Sequence, residues 1–192
     1  MENDLKLYKG LSFEEYNQRY SSDVHKRQNE CLKQELLDHL DFDKKIIDLG
    51  CGTGLAYFML KDRIKEYIGV DICSDYISTL SSMNLEKASF VCMDGLEYVK
   101  NNEIKHSNVL FLWSIEYIGT EAIDYIDDTN TIVIVSYNKP YLPGSGSIYE
   151  GKEKEFKKLH NPKKVQRDLK SKGLTLRKFM NEDYYFIATR KT

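Results

Sequence analysis

Long apolar runs are missing from this chain of 192 residues. None approaches the roughly 20 residues needed to cross a bilayer, so no membrane span and no membrane partner are expected. The start, Met1-Glu2-Asn3-Asp4-Leu5-Lys6, lacks a basic segment followed by an apolar core, so no signal peptide is expected. Cysteine is scarce and unpaired in pattern: Cys31, Cys51, Cys73 and Cys92 form no C-x-x-C. A disulfide framework or zinc knuckle is thereby disfavoured, and a reducing, cytoplasmic setting is the default. Cys51, Cys73 and Cys92 fall at or just beyond expected strand ends and read as buried or semi-buried thiols. No internal repeat, linker or second domain is visible. What remains is an ordinary globular composition, 41% hydrophobic and 30% charged. The length suits one domain over 1–192, a helical N-terminal segment (1–43) followed by a core (44–192).

The net charge of −2 conceals an asymmetry. From Lys152 onward there are 13 Lys/Arg against 5 Asp/Glu, whereas the rest of the chain holds 15 against 25. A basic C-terminal segment could meet an anionic substrate or nucleic acid. A solvated helix face with strand-flanking lysines explains the same charges and is the favoured reading.

Hydrophobic spacing divides the chain into alternating elements. Ser12 with Glu15 forms a capping-box pattern, and Leu11 with Tyr16 suits a hydrophobic staple, so a helix is expected to start there. A second helix is expected from about Asp23 to Leu40, with Cys31, Leu32, Leu36, Leu37 and Leu40 at helical spacing. Expected strands then cover Lys45–Leu49, Tyr67–Val70, Ser89–Met93, Val109–Trp113 and Thr131–Val135. Helical segments at Leu55–Lys61, Asp75–Ser82, Leu96–Lys100 and Thr120–Asp127 lie between them. Continuous apolar strands separated by helices imply a parallel sheet covered on both faces. Asn161-Pro162 begins a last helix and Gly173 stops it. Leu174–Met180 and Tyr184–Thr189 then read as a hairpin closed at Asn181-Glu182-Asp183.

The richest stretch is Ile46-Ile47-Asp48-Leu49-Gly50-Cys51-Gly52-Thr53-Gly54. A buried strand ends in glycines at every second position, and the apolar run from Leu55 begins a helix directly afterwards. Such a strand–glycine turn–helix unit is a ready site for a polar, nucleotide-like ligand. A tight turn that binds nothing is the plain alternative. The spacing is D-x-G-x-G-x-G, whereas dinucleotide folds use G-x-G-x-x-G. Asp71 ends the second strand, about 20 residues beyond Gly50, where a nucleotide-binding acid is expected. Its two oxygens suit a ribose diol. Asp71 alone would also suit a helix cap, and so would Asp94 after the third strand.

This pattern resembles motif I of the class I S-adenosylmethionine (SAM) dependent methyltransferases, and from about Lys44 onward the element order resembles their seven-stranded sheet. The resemblance implies an α/β fold: a doubly wound, mostly parallel seven-stranded sheet with a C-terminal antiparallel hairpin and helices on both faces. It implies SAM as cofactor and S-adenosylhomocysteine as product. By that resemblance the loop of Gly50, Cys51, Gly52, Thr53 and Gly54 faces the methionine part of SAM, and Asp48 helps to hold its amino group. Asp71 binds the ribose and Ile72 packs on the adenine. Met93, Asp94 and Gly95 border the base, with ligand binding favoured for Asp94, and Trp113 and Ser114 border the cofactor.

The residues that follow Trp113 (Ser114-Ile115-Glu116-Tyr117) contain no Asn/Asp-Pro-Pro-Tyr, no Pro-Cys nucleophile and no metal-binding acid pair, so no metal is expected. Tyr16, Tyr20, Tyr117, Tyr137 and Asn138 are candidate acceptor-binding residues. Tyr8, Tyr141 and Tyr149 are weaker ones. His160 could serve as a base, although a helix-flanking surface histidine is the simpler reading. A compact chain with no added recognition domain favours a small-molecule acceptor. The alternatives are an RNA or protein methyltransferase that uses the basic C-terminal face, and a SAM-binding regulator without transfer activity. The least favoured is an NAD-type oxidoreductase. The acceptor's identity, the methylated atom and the oligomeric state are not readable.

Overall fold

The computed structural model describes residues 11–137, 161–179 and 185–190. Two helices come first, α1 (Phe13–Arg19) and α2 (Asp23–His39). The capping box of α1 forms as expected: the Ser12 hydroxyl accepts from the Glu15 N–H at 3.2 Å, and the Glu15 carboxylate accepts from the Ser12 N–H at 2.8 Å.

The alternating units follow as β1 (Ile46–Leu49), α3 (Leu55–Leu60), β2 (Tyr67–Asp71), α4 (Ser74–Ser82), β3 (Ala88–Cys92), α5 (Gly95–Asn101) and β4 (Asn108–Leu112). A single-turn α6 (Ile115–Ile118), a 3₁₀ segment (Thr120–Tyr125) and β5 (Thr131–Tyr137) come next. The described chain closes with α7 (Pro162–Ser171), β6 (Thr175–Phe179) and β7 (Tyr185–Arg190).

The seven strands lie in the order β3-β2-β1-β4-β5-β7-β6. The pairs from β3 to β5 are parallel, and β7 runs antiparallel to both β5 and β6. This is the doubly wound sheet with a C-terminal hairpin that the sequence implied. Its winding reverses at β1, which has β2 on one side and β4 on the other. A crevice opens at such a switch point beyond the carboxyl ends of the strands. Side-chain alternation divides the core accordingly. Ile47 and Leu49 of β1 pack with Tyr98, Val99, Ile123 and Leu169 on one face, and Ile46 joins Leu32, Leu36, Ala56 and Leu60 on the other.

Several boundaries shift for physical reasons. β4 begins at Asn108, a polar residue with no solvent exposure, and not at Val109. Its amide holds the turn before β1, accepting from the Asp41 N–H at 3.0 Å and donating to the Asp41 carbonyl at 2.8 Å. The same strand stops at Leu112 because Trp113 turns to φ +55°. Thr120–Tyr125 winds as a 3₁₀ helix of six residues, longer than most such connectors. The α6 turn was not anticipated, since one turn carries no periodicity. Cys51 and Cys73 are buried as expected, but Cys92 is exposed because β3 is an edge strand whose outer side has no neighbour in the sheet. The expected Asn181–Asp183 connection lies outside the described residues. Among the described residues no helix is long and apolar enough to cross a membrane.

Removing the Asn108 amide takes the partner from two part-buried backbone groups of Asp41 and leaves a hole at a fully buried position. Asn108→Ala is expected to lower stability by about 2–4 kcal/mol in urea unfolding, and a variant within 0.5 kcal/mol of the wild type would contradict this role.

Candidate functional site

The exit of β1 is tied to both neighbouring strands. The N–H groups of Gly50 and Cys51 donate to the Val70 carbonyl of β2 at 2.8 and 3.0 Å. From the β4 side, the buried Ser114 hydroxyl donates to the Leu49 carbonyl at 2.5 Å. Gly50 sits at φ +79°, and a Cβ added to it would lie 2.4 Å from the Ser114 Cβ. Only glycine allows this approach. Gly52 differs: it also has positive φ (+53°), but no heavy atom lies within 4 Å of where its Cβ would be. The loop therefore presents bare backbone to open space at Gly52, a cradle that a side chain would fill.

Asp71 stands beside that opening. Its Oδ2 accepts from the Gly52 N–H and its Oδ1 from the Cys73 N–H, both at 2.8 Å. Each oxygen keeps a lone pair for a further donor. Burial raises the Asp71 carboxyl above the usual carboxylate range, and the backbone N–H bonds oppose that shift. Next to it, Ile72 leaves 39% of its surface exposed, an apolar face at the strand end where a base was expected to pack.

Asp48 is placed differently from its neighbours. It is 1% exposed and accepts from the Tyr67 hydroxyl at 2.6 Å, while its Oδ1 is buried with no hydrogen-bond partner. Burial, the largest influence, pushes its carboxyl up to about 7. Thr53 is also buried, and its hydroxyl donates to the side-chain amide oxygen Oδ1 of Asn17 on α1 at 2.7 Å.

At the end of β3, Asp94 is the N-cap of α5, with its Oδ1 accepting from Leu96 N–H at 2.9 Å and Glu97 N–H at 3.0 Å. The capping role is thus observed, and it engages one of the two oxygens in those bonds. Gly95 packs against Ile118, which a Cβ would meet at 2.8 Å, and Met93 is half-buried between β3 and α5.

Helix α1 packs against α4 on this side of the sheet, whereas α2 lies against α3 and β5. Tyr16 and Tyr20 lie 4.6 Å apart between ring centroids, and Tyr16 is 5.6 Å from Tyr76 of α4. Both Tyr16 and Tyr76 feel the Asp71 carboxylate, which adds to burial in raising their phenols. The structure therefore gathers Tyr16 and Tyr20 with the glycine loop and Asp71. Tyr117 lies on α6, after the end of β4. Tyr137 ends β5, whereas Asn138, Tyr8, Tyr141, Tyr149 and His160 lie outside the described residues. Sequence reading missed Asn17, Tyr67 and Tyr76, whose contacts depend on long-range packing and leave no local signal. It also missed His25, which is buried against the Tyr20 ring at 5.0 Å.

No protein-family model matches the chain, and no curated protein matches it. Solved structures do. A SAM-dependent methyltransferase from Archaeoglobus fulgidus is 19% identical, with 84% of this chain and 94% of that one covered at a TM-score of 0.57. The magnesium protoporphyrin IX methyltransferase of Synechocystis PCC 6803, with bound SAH, is 13% identical, with 92% of each chain covered at a TM-score of 0.60. The N-methyltransferase NodS of Bradyrhizobium japonicum WM9 is 12% identical, with 86% and 94% covered at a TM-score of 0.58. The fold is methyltransferase-like. It is of the class I, Rossmann-like type, and at these identities the likeness is one of architecture. In this methyltransferase-like frame the switch point brings together an open backbone cradle at Gly52, a carboxylate at Asp71 and an apolar face at Ile72.

Two measurements test the site. Gly50→Ala should destabilise the protein by about 2 kcal/mol or more, from the left-handed backbone together with the clash. Gly52→Ala should cost only about 1–2 kcal/mol yet weaken nucleoside binding at least as much as Gly50→Ala. Equal stability losses in thermal unfolding would refute the difference between them. Asp48 gives a pH signature. Its folded-state pKa of about 7 lies above the unfolded value near 4, so the chain loses stability as pH rises between them. The loss is about 1.4 kcal/mol per pH unit and levels off above about pH 7. Asp48→Asn should therefore gain on the wild type in melting temperature from pH 4 to 7 and then hold a constant advantage. A difference independent of pH would contradict the burial.

Proposed function

We propose that this protein binds SAM and transfers its methyl group to a small-molecule acceptor by direct displacement. The observation that carries the reading is the open backbone at Gly52 joined by hydrogen bond to Asp71, with Ile72 exposed beside it. Asp71 would take the ribose hydroxyls on its remaining lone pairs, Ile72 would cover one face of the adenine, and the loop from Gly50 to Gly54 would line the methionine end. Asp94 retains an oxygen outside its capping bonds, which would accept from the adenine amino group. Bound SAM supplies a methyl group already activated on a sulfonium, so the chemistry asks the protein chiefly for alignment and exclusion of water. The α1–α2 segment suits the second task, because it is anchored to the loop through Asn17 and Thr53 and brings Tyr16, with Tyr20 against it, close enough to feel the Asp71 charge.

A small-molecule acceptor is favoured over RNA by the state of the C-terminal cations. Lys164 pairs with Asp168, Lys172 with Asp124, Arg177 with Glu35 and Arg190 with Asp128, so much of the described basic charge is met within the fold. The free thiols of Cys31, Cys51, Cys73 and Cys92 suit a reducing, cytoplasmic setting.

Calorimetry with SAM, S-adenosylhomocysteine and NAD tests the reading. SAM and S-adenosylhomocysteine should bind and NAD should not. Asp71→Ala should weaken SAM at least tenfold, about 1.4 kcal/mol. Binding of NAD alone would overturn the assignment.

A further inference from the structure

Trp113 is the single tryptophan of the chain and occupies a costly position. It directly follows β4 and is held at φ +55°, a region that bulky residues rarely enter and that concentrates at functional sites. Its indole Nε1–H is buried with no hydrogen-bond partner. An indole nitrogen is a donor only, and a buried donor left unmade costs about 1–3 kcal/mol. Two unfavourable features on one side chain at the mouth of the switch-point crevice have no compensating partner among the described residues.

The ring is held in place from behind. Tyr185 of β7 meets it edge-on, with centroids 6.1 Å apart at 73°, and the Tyr185 hydroxyl accepts from the buried Gln28 amide of α2 at 3.3 Å. One turn earlier on α2, His25 is buried and stacks on Tyr20, with its Nδ1 2.9 Å from the Ser22 hydroxyl. The Ser22 oxygen also accepts from the His25 backbone N–H at 3.4 Å, which frees its hydroxyl proton for Nδ1 and leaves the proton of the neutral ring on Nε2. Nε2 makes no hydrogen bond among the described residues. Burial lowers the affinity of this ring for a second proton, which keeps it neutral at physiological pH. The face of α2 that supports Trp113 through Gln28 therefore also carries a second N–H donor, set against an aromatic ring.

We propose that Trp113 binds the methyl acceptor, and that the acceptor is a planar aromatic molecule carrying an oxygen, carboxylate or phenolic, that accepts from the indole Nε1–H. This deepens the proposed methyltransferase reading and rests on it. Aromatic side chains such as Tyr16 and Tyr20 would by themselves serve an organic cation equally well. The unpartnered N–H discriminates between the two, because an ammonium has no lone pair to accept its proton. It also shifts Trp113 from the cofactor side, where the sequence resemblance put it, to the acceptor side.

Because the tryptophan is single, its fluorescence reports on this site alone. The full-length protein, with and without saturating S-adenosylhomocysteine, is titrated with benzoate, salicylate and 4-hydroxybenzoate, and separately with phenyltrimethylammonium. At least one of the oxygen-bearing probes should give a saturable shift in emission, and the cation should give none. Trp113→Phe keeps a ring but removes the donor, and calorimetry should show binding of that probe weakened about tenfold with SAM affinity within threefold of the wild type. A shift with the cation alone, no shift with any of the three acids, or equal probe affinity in Trp113→Phe would each overturn the proposal. An equal loss of SAM affinity in Trp113→Phe would overturn it as well. Failure of SAM to bind the wild type in the same calorimeter would instead count against the methyltransferase reading, and the two failures are therefore distinguishable.

Discussion

The close approach of two strand exits, β1 at Gly50 and β4 at Ser114, is the constraint on which the site depends. Parallel neighbours whose chains leave in opposite directions would ordinarily splay apart at their carboxyl ends. Here the Ser114 hydroxyl holds the Leu49 carbonyl, and the missing Cβ of Gly50 lets the two backbones close. With that contact made, Gly50 and Cys51 can both reach the Val70 carbonyl on the opposite side. The loop is then short enough for the Gly52 N–H to meet Asp71, and α3 can begin at Leu55 directly after Gly54. Loosening the first contact would disturb each of the others, because they are consecutive along the seven residues from Leu49 to Leu55.

Much of this was legible in the sequence because its causes are local. Positive φ at the loop is written as glycine, the parallel strands as mostly apolar runs, and α7 as Asn161-Pro162 with Gly173 beyond it. What could not be read depends on distant partners. Asn108 looks like a loop residue until Asp41 is placed against it, and only then can a polar side chain begin a buried strand. The single turn of α6 has no period to detect, and nothing beside Cys92 says that β3 is an edge. At the site itself the acids Asp48, Asp71 and Asp94 were all visible, but their differences were not. One is sealed against Tyr67, one binds an N–H of the loop and an N–H beyond β2, and one caps a helix.

Those differences matter electrostatically. Burial raises the cost of charge at both Asp48 and Asp71, and at Asp48 the Asp71 carboxylate adds to it. The protein answers in two ways. Asp71 is compensated by backbone donors that favour its charged form, whereas Asp48 has only one phenol, and its second oxygen is buried without a partner. A neutral Asp48 is tolerable in the absence of ligand. A cation brought to the loop would favour the charged form, so cation binding and proton release at Asp48 are thermodynamically linked.

The same constraint extends to the acceptor side. Trp113 immediately precedes Ser114, and the backbone must turn sharply at the end of β4 for the serine hydroxyl to reach Leu49. A left-handed residue at 113 makes that turn, and glycine would make it with the least strain. Retaining tryptophan there means that the strain is held by packing, from Tyr185 behind the ring and from Gln28 behind Tyr185. The glycine loop, pinned by Ser114, and the indole of Trp113 are therefore placed by a single local geometry, through two adjacent residues of the chain. A displacement at Ser114 would move both the cradle at Gly52 and the donor at Trp113. Alignment between two bound molecules follows from that shared origin, since the elements that would hold them cannot shift independently.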